Sequence, residues 1–215
     1  MSTADTAPTR RRAHRPRGEL GDHVARTIGS LQAQVLRDPP RPEAISALAR
    51  LRRGIGRAPG FDYTLEEYLA VPEDLLGFRP VDDTRPTDSE QAVHDALTLY
   101  ALHQQSRREP MHTSGQGLGH AMARLIHTSD TPDGVRRRFA ALGTATTYNE
   151  GIYHLRGLVT MLRGHRIPLD YGLLAHDLRR LRQPGKRADV QAVWGRELYR
   201  NRMNEPTANT EETSA

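Results

Sequence analysis

Apolar residues recur along this chain every three or four positions, in runs that each stop at a proline, a glycine or a cluster of turn residues. Leu20, Val24, Ile28, Leu31 and Val35 mark a first helix, ended by Asp38-Pro39-Pro40. A shorter second helix starts with Pro42 in its first turn and stops at Gly54, with Ile45, Leu48 and Leu51 as its buried face. Between Ala58 and Thr87 four prolines break the pattern into short helical turns joined by loops. Thr87 followed by Glu90 forms a capping box and opens a long helix through Val93, Ala96, Leu97, Tyr100 and Ala101, expected to end near Arg108. After the loop SRREPMHTSGQG, Leu118, Ala121, Met122, Leu125 and Ile126 carry the next amphipathic helix.

The stretch from Gly134 to Arg200 reads as the block around which the rest is organised. Its apolar stripes are Tyr148, Ile152, Leu155, Val159 and Leu162; then Tyr171, Leu174, Leu178 and Leu181; then Val190, Val193 or Trp194, and Leu198. No alternating strand pattern of useful length occurs. The fold class expected is therefore all-α: a compact bundle of amphipathic helices in two lobes, about 19–86 and 87–200. A basic arm (1–18) and a polar tail (201–215) are expected to be disordered at its ends.

Charge sharpens this picture. The chain of 215 residues has a net charge of +5, and the Gly134–Arg200 block holds thirteen cations against five carboxylates. A scaffold that buries one side of each helix and offers arginine on the other suits a phosphate-bearing partner. Lys186 is the only lysine, a bias that GC-rich coding can produce, so clustering carries more weight than arginine content. Residues Phe61 to Glu90 are acidic and Arg41 to Arg57 basic, blocks that solvation alone does not require.

Only 36% of residues are hydrophobic, which implies thin apolar seams shared by many helices. The absence of cysteine excludes disulfides, thiolate metal sites and a cysteine nucleophile. The first residues lack the apolar core of a signal peptide, and no run has the length of a membrane span, so a soluble cytoplasmic protein is expected.

Candidate chemistry is sparse. Gly115, Gly117 and Gly119 resemble part of a nucleotide loop, but no strand precedes them and the P-loop lysine and hydroxyl are absent, leaving a flexible loop. His94-Asp95 and His176-Asp177 are each the dipeptide of a metal phosphohydrolase, yet such a site needs further converging ligands, and Asp177 can instead pair with Arg180 along its helix. Neither a metal nor another cofactor is expected. Tyr148, Tyr171 and Trp194 fall on buried faces, whereas Tyr153, one step off its stripe, is the better candidate to stack a base. Arg156 and Arg163 lie seven residues apart on one face, about 10 Å at 1.5 Å per residue.

Several segments, in order, resemble the CasB-type small subunit of the type I-E CRISPR Cascade complex. They are LARLRRG at Leu48 to Gly54, HQQ at His103 to Gln105, GLGHAMARL at Gly117 to Leu125, VRRRFAAL at Val135 to Leu142, HLRGLV at His154 to Val159, and IPLDYGLLAHDL with VWGRELY near the C-terminus. The resemblance runs from about Leu48 to Tyr199. It implies a non-enzymatic helical subunit, present as a head-to-tail pair beside other Cascade subunits, contacting guide RNA and the target and displaced DNA strands. By motif it carries nucleic-acid contacts to Arg52, Arg53, Arg136, Arg137 and Arg156; helical spacing adds Arg163. A stand-alone helical DNA-binding regulator is one alternative and a His-Asp metal phosphohydrolase another. In a purely architectural reading, the arginines pair with the acidic Phe61 to Glu90 region of a neighbouring copy.

Overall fold

The computed structural model describes residues 15–77 and 85–202, with the backbone alone for 201 and 202. These residues form α1 (Gly18–Leu36), α2 (Pro42–Arg53), the single-turn α3 (Glu66–Leu69) between two 3₁₀ turns, α4 (Asp88–Gln104), α5 (Leu118–Thr128), α6 (Pro132–Thr144), α7 (Tyr148–Gly164), α8 (Tyr171–Arg182) and α9 (Arg187–Arg202). Extended backbone among them is limited to one isolated parallel bridge, His112 with Leu169. The all-α class is as expected, and no described helix is long and apolar enough to cross a membrane.

The organising element is α4 rather than the basic C-terminal block. Thr87 and Glu90 make the reciprocal capping box that starts it, with Thr87 Oγ1 accepting the Glu90 N–H and the Glu90 carboxylate accepting the Thr87 N–H at 2.7 Å. From Ala92 to Ala101 every residue is buried, polar ones included. A helix enclosed on all sides is the centre of a bundle. It is covered by α1, α2, α3, α7 and α8, while α5 packs between α6 and α9.

Two of its buried polar groups pair with hydroxyls from neighbouring helices. Asp95 accepts the Tyr148 hydroxyl at 2.8 Å, and His103 Nδ1 lies 3.0 Å from the Tyr171 hydroxyl. Those partners come from α7 and α8, so the polar pairs fix which helix lies where. One continuous apolar cluster runs from Leu20 in α1 to Trp194 in α9.

Three local expectations need correction. α4 stops at Gln104, not near Arg108, because the Gln104 side chain donates to the carbonyls of Arg107 and Glu109 and accepts the Met111 N–H. Ser106 meanwhile turns to φ 58°, and the chain leaves the helix around that amide. In α2, Ile45 is 50% exposed and the buried stripe is Ala44, Ala47, Leu48 and Leu51. Small alanines lie on the face that meets α4, which a reading weighted toward large side chains passes over.

The third correction concerns the basic arm. Residues 1–14 and 203–215 lie outside the described residues, but Arg15 and Arg17 are docked into the fold. Arg15 holds the Asp177 carboxylate with both terminal nitrogens, and Arg17 holds Asp170. α1 then lies against α8 closely enough that a Cβ on Gly21 would come within 2.5 Å of the Gly172 carbonyl.

Candidate nucleic-acid interface

The candidate interface is built on α6 and α7, which pack side by side. Pro132 occupies the first turn of α6, where its missing N–H costs nothing, and Asp133 sits at the positive end of the helix dipole. Thr147 caps α7 by accepting the Glu150 N–H. The Glu150 carboxylate in turn accepts the Thr146 N–H and hydroxyl, which hold it below its usual range. Val135 and Leu142 of α6 and Ile152, Leu155 and Val159 of α7 are buried, fixing which faces turn outward.

What turns outward is a groove of about 460 Å³ lined by Arg138 from α6 and by Tyr153, His154, Arg156, Gly157 and Thr160 from α7. The Arg138 guanidinium reaches over Gly157, where a Cβ would lie 3.9 Å from its Nη1. Tyr153 is 74% exposed, and its ring meets His154 edge-on at 5.5 Å. No carboxylate lines the groove. The exposed side chains of Arg137, Arg138 and Arg156 have no ion pair or hydrogen bond among the described residues.

The six sequence-designated arginines occupy four settings. Arg137 and Arg156 are exposed on the α6–α7 pair. Arg136, two residues before Arg138, points to the other shoulder of α6, since successive residues rotate by about 100°. There it pairs with Asp133 at 2.7 Å and borders an apolar cavity of about 390 Å³ with Phe139, Trp194 and Tyr199. Arg163 is half-buried and donates to Gln105 Oε1 at 2.8 Å, bracing the C-terminal end of α4. Arg52 and Arg53 close α2, Arg52 half-buried and Arg53 exposed, where cations also favour the helix dipole.

Both aspartates of the histidine–aspartate dipeptides are engaged within the fold. His94 is buried with its Nδ1 3.2 Å from Asp95, whose carboxylate also takes Gln91 and Tyr148. Asp177 accepts Trp194 Nε1 at 2.7 Å and pairs with Arg15, not with Arg180. Arg180 instead meets Asp189 at 3.0 Å. Among the described residues no three His, Asp or Glu side chains converge as a metal site.

The glycine-rich segment is held rather than flexible. Gly115 N–H donates to Asp170 at 2.6 Å and Gly119 N–H to Glu197 at 3.1 Å. A Cβ on Gly119 would overlap the Trp194 carbonyl, so this glycine serves the close approach of α5 to α9. Burial holds the Glu197 carboxyl above its ordinary range, against the opposing charge of Arg15.

Two features escaped sequence reasoning. Arg138 stands three residues after Val135 and four before Leu142, the spacing of a side chain flanking the buried seam toward α7, a signal that helical phase could have supplied. The docking of Arg15 and Arg17 had no such signal, because their partners lie more than 150 residues away in sequence.

Similar proteins give this geometry a context. The family model for CRISPR-associated protein Cse2 matches residues 47–199, nearly the stretch that carried the resemblance. The crystal structure of CasB from Thermobifida fusca is similar with 38% identity and a TM-score of 0.69, covering 84% of this chain and 97% of that one. A Cse2-family CRISPR-associated protein from Thermus thermophilus is similar with 25% identity and a TM-score of 0.58, over 83% of this chain and 97% of that one. A chain from a CRISPR RNA-guided surveillance complex shares the fold, with 21% identity and a TM-score of 0.61 over 86% of this chain and 99% of that one. No curated protein matches the sequence.

Proposed function

The chain belongs to the CRISPR-associated Cse2 family, and from that premise we propose that it is a non-catalytic subunit of an RNA-guided Cascade-type complex. Its arginines hold the sugar–phosphate backbone of the guide–target duplex and of the displaced strand. The observation that carries this reading is the α6–α7 face, where Arg137, Arg138 and Arg156 are exposed and have no carboxylate partner among the described residues. Arg52 and Arg53 offer further cations at the end of α2, while Arg136 and Arg163 contribute less because they are already engaged within the fold.

The energetics suit such a role. Exchanging a DNA duplex for a guide–target duplex is nearly balanced, so a few charge-assisted contacts shift the outcome. Contacts of this kind read charge and spacing and leave sequence to base pairing. Other Cascade subunits and a second, head-to-tail copy are the protein partners in this reading.

The test is the salt dependence of binding to single-stranded DNA by the full chain. Each lost phosphate contact flattens the slope of log K against log salt by about 0.7. Arg52→Ala, Arg53→Ala and Arg156→Ala combined should flatten it by about two units, and an unchanged slope removes these residues from the interface. Selection on random duplex separates the regulator alternative, which alone yields a consensus motif.

A further inference from the structure

Four large hydrophobic side chains are exposed among the described residues: Ile45, Tyr63, Tyr153 and Tyr199. Tyr63 sits beside Glu66 and Glu67 in an acidic segment, and Tyr199 borders the apolar cavity between α5, α6 and α9. Tyr153 alone of the four stands in a groove that two unpaired arginines also line.

Resting on the backbone-binding reading above, we propose that the α6–α7 groove is a subsite for one unpaired nucleobase. The base stacks on the ring of Tyr153, and the phosphates on either side of it pair with Arg138 and Arg156. Three observations converge on it. Tyr153 is 74% exposed with the His154 ring inclined to it at 70°, so most of its ring is open to a base. Gly157, between the arginines, carries no side chain, which keeps the groove floor open beneath the Arg138 guanidinium. The wall of the groove holds two cations and no carboxylate.

Aromatic faces accept any base, and flanking guanidinium groups accept any phosphodiester, so the subsite takes single strands without regard to sequence. A duplex is excluded as its ligand because both faces of every paired base are already covered by neighbours. The Thr160 hydroxyl donates to the Arg156 carbonyl at 2.9 Å and so offers no proton to a base edge, consistent with stacking rather than readout.

The experiment uses the full chain and three fluorescent strands of equal length: oligothymidylate, oligouridylate, and a thymidylate backbone in which tetrahydrofuran replaces every base. The wild type should bind oligothymidylate at least about fivefold more tightly than the abasic strand, since stacking on an aromatic side chain is worth about 1–3 kcal/mol per base. Tyr153→Leu should abolish that preference while leaving the salt slope unchanged, and Tyr153→Phe should retain it. Arg138→Ala should do the reverse, flattening the slope by about 0.7 with the preference intact. A preference for oligouridylate or oligothymidylate over the other assigns the base to RNA or to displaced DNA. Equal affinity of the wild type for base-bearing and abasic strands overturns the stacking subsite and leaves the backbone reading standing. Absence of binding to all three overturns both.

Discussion

Arg17 grips Asp170 through Nε and Nη2 at 2.8–3.0 Å, across 153 residues of sequence, and Asp170 has no exposed surface. The same carboxylate caps α8 by accepting the N–H groups of Gly172 and Leu173, and it accepts Gly115 N–H from the loop before α5. One anion therefore joins the N-terminal arm, a loop and a helix start. Arg17→Ala leaves that anion buried with its backbone donors only, and should cost about 3 kcal/mol. Asp170→Asn should cost less, because Arg17 retains some exposure and can turn to water. Urea midpoints of the two variants check the order.

The contact between α1 and α8 makes a second prediction. Gly21→Ala or Gly172→Ala places a methyl against the carbonyl of the other glycine and should destabilise by about 1–3 kcal/mol, seen as a fall in Tm. Gly29→Ala, in the same helix with nothing within 4 Å of its Cβ, should stabilise by about 0.5–1 kcal/mol. Opposite signs from one substitution type distinguish close packing from helix propensity.

Acid should weaken the fold. Burial first, then the charges of Arg163 and Arg107, push His103 down to about 3. An unfolded imidazole titrates near about 6.5, so between those values the unfolded chain binds the additional proton and stability falls as pH is lowered. His23, His112 and His176 are shifted in the same direction, also by burial, while Glu197 is raised and acts in the opposite sense. The urea midpoint should be lower at about pH 5 than at about pH 7.5, and His103→Gln should narrow that gap. A gap of unchanged width in the variant would place the titration on other groups.

Arg163 separates stability from binding. Its guanidinium donates to Gln105 at the end of α4, so Arg163→Ala should lower stability by about 1 kcal/mol and leave the salt slope of DNA binding nearly unaltered. Arg137→Ala, exposed and without a partner among the described residues, should leave stability alone and flatten the slope. The two variants, compared by thermal melting and by salt titration, divide the arginines by role.

Much of the architecture was legible because helical period and caps are local. Thr87 with Glu90, Pro42, and the Leu20-to-Val35 stripe each act within a few residues of themselves. The burial of Tyr171 and Trp194 followed from the same period, as did the packing of half-buried Tyr148 against the core. Ile45 misled because its bulk outweighed the alanines that let α2 approach α4. The central position of α4 was hidden because Asp95 and His103 look solvent-facing until their partners Tyr148 and Tyr171 on other helices are known. Among candidate site residues, sequence marked Tyr153 and Arg156, but the adjacency of Arg138 depends on two helices meeting.

The lodging of α1 on α8 carries a consequence for synthesis. At about 5–20 residues per second, the stretch from Leu36 to Arg182 occupies a ribosome for roughly seven to thirty seconds. For that interval the first helix made lacks its chief partner, and its greasy flank rides uncovered on the nascent chain. Arg15 and Arg17, among the earliest described residues to emerge, are among the last to lock into place.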